Sequence, residues 1–271
     1  MRIIEQNRNI WFLGLLYTIM QQDLVDLRAQ INALENHSVG ANCVLETGAK
    51  MFDAALGGGL ALGGVNEVVP AAFMDEPASM SFAAACAANM MSQRLGDLVI
   101  VQDGAHARSW GQFYGPGLQG LGLCCSRILL VDVPDAKRFY ACLEDCARTT
   151  GLAGVLALAG PKSGFSLAGA RRVQLAAETG QSLVMLVQSL RTPTFAPARV
   201  RLSIASAPSQ KVPQGTNLPA LGPTAWTVTL ERTRGGARSQ TFHLEYDYAT
   251  HRLHQPAALA DRPFSADRLR A

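Results

Sequence analysis

At 271 residues, 48% hydrophobic and 17% charged, the chain is long enough for one large α/β domain or a core with small appendages, and its composition excludes a disordered or fibrous protein. Its net charge of +3 is unevenly spread: residues 1–190 carry 13 Lys/Arg against 16 Asp/Glu, and residues 191–271 carry 11 against 5. A basic C-terminal third suits an acidic partner, nucleic acid or protein, or a plain solvated face.

From the N-terminus, residues 10–20 (IWFLGLLYTIM) form an apolar run too short to span a bilayer. The run has the length of a signal-peptide core, but QQDLVDLR follows where a cleavage site would need small residues. Residues 1–19 are therefore read as an upstream extension of a chain that starts at Met20, or as a disordered segment. Within 20–42, Leu24, Leu27, Ile31 and Leu34 recur at 3/4 spacing and predict an amphipathic helix over 22–35, followed by a Gly-containing linker. Its narrow stripe packs on the domain or pairs with a partner helix.

Residues 43–190 alternate apolar runs with helical patterns. Strands are expected at 64–69, 97–101, 127–133, 154–159 and 183–187. Helices are expected at 79–93, with Ser79 or Ser81 as N-cap, at 135–149 behind Asp135, and at 166–179 closed by Gly180. Strands apolar on both faces, separated by helices, mean a mainly parallel sheet covered on both sides. Residues 191–255 change to antiparallel strands at 200–205, 225–231 and 241–248, extending the same sheet, with a Pro/Gly/Ser-rich loop at 206–223. Residues 256–271 read as a flexible tail. The six cysteines include no CxxC pair, and Cys142 and Cys146 stand one helical turn apart; core thiols in a reducing cytoplasm fit best.

The stretch PAAFMDEPASMSF joins the first core strand to its helix, where many nucleotide-binding proteins carry Gly-x4-Gly-Lys-Ser/Thr. Pro70 and Pro77 lack N–H donors, no glycine permits a backbone nest, and Asp75 and Glu76 repel a polyphosphate. No Lys lies between Lys50 and Lys137. Ser79 or Ser81 stands at the metal-hydroxyl position or serves as the cap. The expectation is an inactive phosphate site, with no ATP or Mg²⁺ unless the degenerate loop still binds. Ser163 in PKSGF lacks the flanks of a nucleophile elbow. His243, His251 and His254 lie near Glu245 and Asp247, and period-2 alternation explains that grouping without a metal.

The segment TGAKMFDAALGGGLALGGVNEV, with Thr47-Gly48, Asp53, Ala55-Leu56-Gly57, Gly59-Leu60, Gly64 and Glu67, resembles the lead-in to the nucleotide site of RecA-type recombinases. LVIVQDGAHARSW resembles their segment ending in Asp-Ala-Glu-His-Ala. LRAQINALE at 27–35, YGPGLQGLGLCCSRILLV at 114–131, ARRVQLAAETG at 170–180 and LERTRGG at 230–236 make the chain resemble the ImuA family over roughly residues 24–250. These are bacterial damage-inducible mutagenesis proteins described as SulA/RecA-like. The resemblance implies a RecA-like core whose water-activating Glu falls at Ala105, beside His106, and whose magnesium-binding acid falls near Ala159, with Asp103 close by. It implies candidate DNA contacts at Lys162, Arg171, Arg172, Arg191 and Phe195. It further implies a non-catalytic adaptor in SOS-induced translesion mutagenesis, docking an ImuB-like protein, an error-prone DNA polymerase and RecA. Candidate docking residues are Leu24, Leu27, Ile31, Arg232, Arg234 and Arg238. The alternatives are a divergent RecA/RadA-like DNA-dependent ATPase and a SulA-like division inhibitor that binds FtsZ.

Overall fold

Apolar runs without alternation can be satisfied only between two covering layers, and they form the middle of one large sheet. The computed structural model describes residues 44–160, 167–190, 195, 197–209, 222–233 and 239–256. The expected helix over 22–35, with Leu24, Leu27 and Ile31, lies outside the described residues, as do Lys162, Arg191, Arg234, Arg238, most of the 206–223 loop and the tail.

The small hairpin β1 (Val44–Leu45) and β2 (Leu60–Ala61) encloses helix α1 (Lys50–Ala55). The core then runs β3 (Gly64–Pro70), α2 (Glu76–Gln93), β4 (Leu98–Asp103), α3 (Gly104–Trp110), α4 (Gly115–Gly120), β5 (Ile128–Val133), α5 (Ala136–Arg148), β6 (Gly154–Leu158), α6 (Leu167–Gly180) and β7 (Leu183–Val187). It finishes with β8 (Val200–Ala207), β9 (Ala225–Thr233), β10 (Gln240–Asp247) and β11 (Arg252–His254). Among the described residues the sheet order is β11-β10-β9-β8-β3-β7-β6-β4-β5. The pairs from β8 through β3 to β5 are parallel; β8, β9, β10 and β11 pair antiparallel, as their alternating pattern predicts.

Two cores lie on opposite faces. One packs Phe82, Met90 and the Ala-rich side of α2 against Leu202, Trp226 and Tyr246. The other packs Phe139 and Leu143 of α5 and Val173 of α6 against Val99, Val155 and Val184. The strand β5 departs from the expectation of cover on both faces: it is the outer strand, and Leu129 and Leu130 are 57% and 40% exposed. The helix α2 starts a turn earlier than its serines suggest, because Asp75 takes the N-cap position and Pro77 fits the first turn. Ser79 and Ser81 lie inside the helix, donating to the carbonyls of Glu76 (2.8 Å) and Ala78 (2.9 Å). The Gly-rich stretch after β4 is helical in two pieces. Asp103 caps α3 by accepting from the Ala105 N–H at 2.8 Å, Gly111 at φ 83° ends it, and Pro116 opens α4. Cys142 and Cys146 do share a face of α5, with their sulfurs 4.0 Å apart.

At the centre of the sheet Glu67 has no accessible surface. It pairs with Arg201 at 2.6 Å and accepts the Phe195 N–H at 2.8 Å, while Arg201 also holds Glu231 at 2.7 Å. Burial pushes the Glu67 carboxyl up, and the Phe195 amide and Arg201 pull it back. Removing one member of such a pair strands a buried charge. Arg201→Ala should therefore cost about 3 kcal/mol or more of unfolding free energy in urea titration; a loss below about 1 kcal/mol, the range of an exposed pair, would contradict this placement.

Candidate functional site

The parallel strands β3, β4, β6 and β7 end on the same side of the sheet. From β3 the chain crosses to β4, whereas from β7 it crosses β3 to reach β8. The carboxyl ends of these strands, where open α/β sheets hold ligands, border a crevice. Here the crevice is a cavity of about 350 Å³ whose walls include Glu76 and Ser79 of α2, His106 and Trp110 of α3, Ala159 after β6 and Gln188 after β7. A second cavity of about 300 Å³ shares Met80, His106 and Trp110 with it and continues between α2 and α4, past Gln102, Phe113 and Leu118.

The loop from Pro70 to Pro77 forms one wall. The Ala71 N–H continues the ladder to the Ile204 carbonyl at 2.8 Å, and residues 73–75 make a single 3₁₀ turn. Asp75 turns its carboxylate to Ser206, accepting from the amide at 2.9 Å and the hydroxyl at 2.6 Å, and these bonds hold it below the usual carboxylate range. Glu76 accepts from the Ser189 hydroxyl at 2.6 Å. Both carboxylates sit at the N-terminus of an 18-residue helix, where the partial positive charge of free N–H groups favours them.

On the opposite wall Gln102 donates from Nε2 to the Gly111 carbonyl at 2.9 Å and lies 3.3 Å from His106 Nδ1. The carbonyl only accepts, which fixes the amide nitrogen there; the second amide hydrogen then makes Nδ1 an acceptor and leaves the imidazole hydrogen on Nε2. Burial pushes His106 below its ordinary value of 6.5, against the pull of Glu76 and Asp103. Asp103 is buried and its Oδ1 serves as the α3 cap. The positions expected for catalytic acids, Ala105 and Ala159, lie beside the crevice without a carboxylate.

Of the candidate DNA contacts, Arg171 and Arg172 are exposed on the first turns of α6, and Arg172 pairs with Glu144 at 3.3 Å. Phe195 is corrected: its ring is fully buried in the core beneath β3, because its backbone N–H is drawn onto Glu67, so no base can stack on it. Arg232 is half-buried and donates to the carbonyls of Phe195 (3.0 Å) and Ala198 (3.4 Å), which makes it a brace for that segment. Among the described residues no group of three His, Cys, Asp or Glu is placed to hold a metal ion. Glu245 meets His254 at 3.3 Å, Asp247 caps a turn through Ala249 and Thr250, and His251 stacks on Tyr246. No helix of the described residues is long and apolar enough to cross a membrane.

Sequence patterns did not assign the roles of Glu67 and Gln102. Each is a polar residue inside an otherwise apolar strand, GVNEVV and LVIVQD, which is the signal that could have marked them.

No protein-family model matches the chain. Over 206 residues, 71% of this chain and 80% of the relative, it is 32% identical to Protein ImuA of Caulobacter vibrioides strain NA1000 / CB15N, and to the same extent to Protein ImuA of strain ATCC 19089 / CIP 103742 / CB 15. The chain belongs to the ImuA family. In this ImuA-family chain the Thr-Gly lead-in is structural. Asp53 accepts from the Thr47 amide (3.0 Å) and hydroxyl (2.8 Å) and the Gly48 amide (3.1 Å), folding the lead-in over α1. Gly48 stands at φ 102°, and a Cβ there would lie 2.8 Å from the Leu253 carbonyl.

The His106 environment gives a pH dependence with a definite sign. Its folded-state value is below 6.5, so the unfolded chain protonates first and stability falls as pH drops from that value. His106→Gln should flatten the Tm profile in that window; an unchanged slope would mean the imidazole is not held neutral.

Proposed function

We propose that this ImuA-family chain is a RecA-like, non-catalytic adaptor of SOS-induced translesion mutagenesis in the cytoplasm, docking an ImuB-type protein, an error-prone DNA polymerase and RecA. The RecA-like reading is supported by the central position of β3, the crevice at the carboxyl ends of its neighbours, and the lead-in from Thr47 to Glu67. The observation that carries the non-catalytic reading is the start of α2. A phosphate loop needs bare N–H groups, glycines and a Lys. Here the N-terminal turn is flanked by Asp75 and Glu76, and residues 70–93 contain neither Gly nor Lys. Negative charge from Asp75 and Glu76 therefore stands beside the helix end that would face an anion.

An adaptor needs surface in place of a reaction centre. The outer edge of β5, with Leu129 and Leu130 exposed, offers unpaired backbone groups and apolar area to another chain. The basic C-terminal third offers charge, and Arg234, Arg238 and the residues beyond 256 lie outside the described residues. Strands β10 and β11 cannot be removed to test it, because Leu244, Tyr246 and Leu253 belong to the main core.

Affinity capture of the tagged full chain from DNA-damaged cells tests the adaptor reading. The expected co-purifying proteins are an ImuB-type protein, the error-prone polymerase and RecA. Capture of FtsZ with none of these would contradict it and move the fold into division control.

A further inference from the structure

The described linings of the two adjoining cavities lack the cations of a nucleotide site. None of the described side chains lining either cavity is Lys or Arg. Glu76 is 8% exposed, lines the first cavity, and has the Ser189 hydroxyl as its hydrogen-bond donor, with no ion-pair partner among the described residues. Gln102 is 1% exposed and lines the second cavity. Its Nε2 is engaged by Gly111 and His106, and its Oε1 has no partner. An unpaired buried acceptor costs about 1–3 kcal/mol, so a donor that is absent from the isolated chain is the economical account of it.

Around the mouth stand side chains of a different kind. Phe73 and Tyr114 are 59% and 72% exposed, and the rings of Phe73 and Trp110 lie 6.2 Å apart between centroids, tilted by 46°. A buried carboxylate beneath exposed aromatic rings, with acceptors and no cation among the described lining residues, matches a flat, donor-rich cation. A guanidinium is flat, stacks on aromatic rings and bonds carboxylates in pairs, whereas an ammonium is compact and more strongly hydrated. Polyphosphates meet repulsion from the same carboxylate.

We propose that this crevice receives an arginine side chain from a protein partner, its guanidinium set between Glu76 and the Phe73–Trp110 rings. The apolar residue beside that arginine fills the cavity between α2 and α4, and a partner N–H donates to Gln102 Oε1. This rests on the adaptor reading and names the group that replaces nucleotide in the crevice.

The probe is acetyl-Phe-Arg-amide, titrated into the full chain and followed by the fluorescence of Trp110, with Trp110→Phe as the blank. The comparison peptide carries citrulline, which keeps the shape and removes the charge. Saturable binding of the arginine peptide is expected, at least about tenfold weaker for the citrulline peptide and for Glu76→Gln, the size of a lost charge-assisted hydrogen bond. Gln102→Leu should weaken it as well, and its loss of the Gly111 and His106 bonds should lower the thermal melt. Equal affinity for the two peptides, or no saturation by the arginine peptide, would overturn the proposal, and that comparison needs no variant to fold. Failure here with capture of the mutagenesis proteins intact removes the arginine site and leaves the adaptor reading; displacement of the peptide by ATP would overturn both.

Discussion

A carboxylate with no access to water must be matched by neighbours, and the arrangement around Glu67 follows from that requirement. Glu67 lies in the middle of β3, next to β8, the strand that joins the parallel part of the sheet to the antiparallel part. Its partner Arg201 stands directly beside it on β8, and the Phe195 amide reaches it from the connection between β7 and β8. Arg232 on β9 braces that connection through the Phe195 and Ala198 carbonyls. One buried charge thus ties β3, β8, β9 and the crossover at Phe195 together.

The same device recurs at the start of α2. Asp75 reaches to Ser206 at the end of β8, and Glu76 reaches to Ser189 just past β7. Each carboxylate fastens the start of the helix to a neighbouring strand end and places negative charge near its positive terminus. The crevice occupies the place of an α/β ligand site, and the charged residue among its described lining is the carboxylate of Glu76.

Much of this was legible in the sequence because the parallel strands are uninterrupted apolar runs, and the C-terminal strands alternate with period two. The missing Lys and Gly residues of the α2 loop could be read directly. Other features were hidden for physical reasons. An edge strand and a central strand can share one composition, so ILLVDV gave no sign that Leu129 and Leu130 face outward. The helices α3 and α4 are short and glycine-rich, and they exist because Asp103, Gly111 and Pro116 cap and punctuate them, not because of apolar periodicity. Phe195 looked like a loop aromatic; only the long-range bond to Glu67 makes it core. The environment of His106 depends on Gln102 one strand end away and on Glu76 across the crevice, which spacing alone does not reveal.

The central claim is that the crevice keeps the place of a nucleotide site without its chemistry. A titration of the full chain with a fluorescent ATP analogue, with and without Mg²⁺, measures this directly. The account predicts no saturable signal in either condition. Saturable, Mg²⁺-dependent binding, lost on introducing a bulky side chain at Ala159, would mean that the crevice still holds nucleotide and would contradict it.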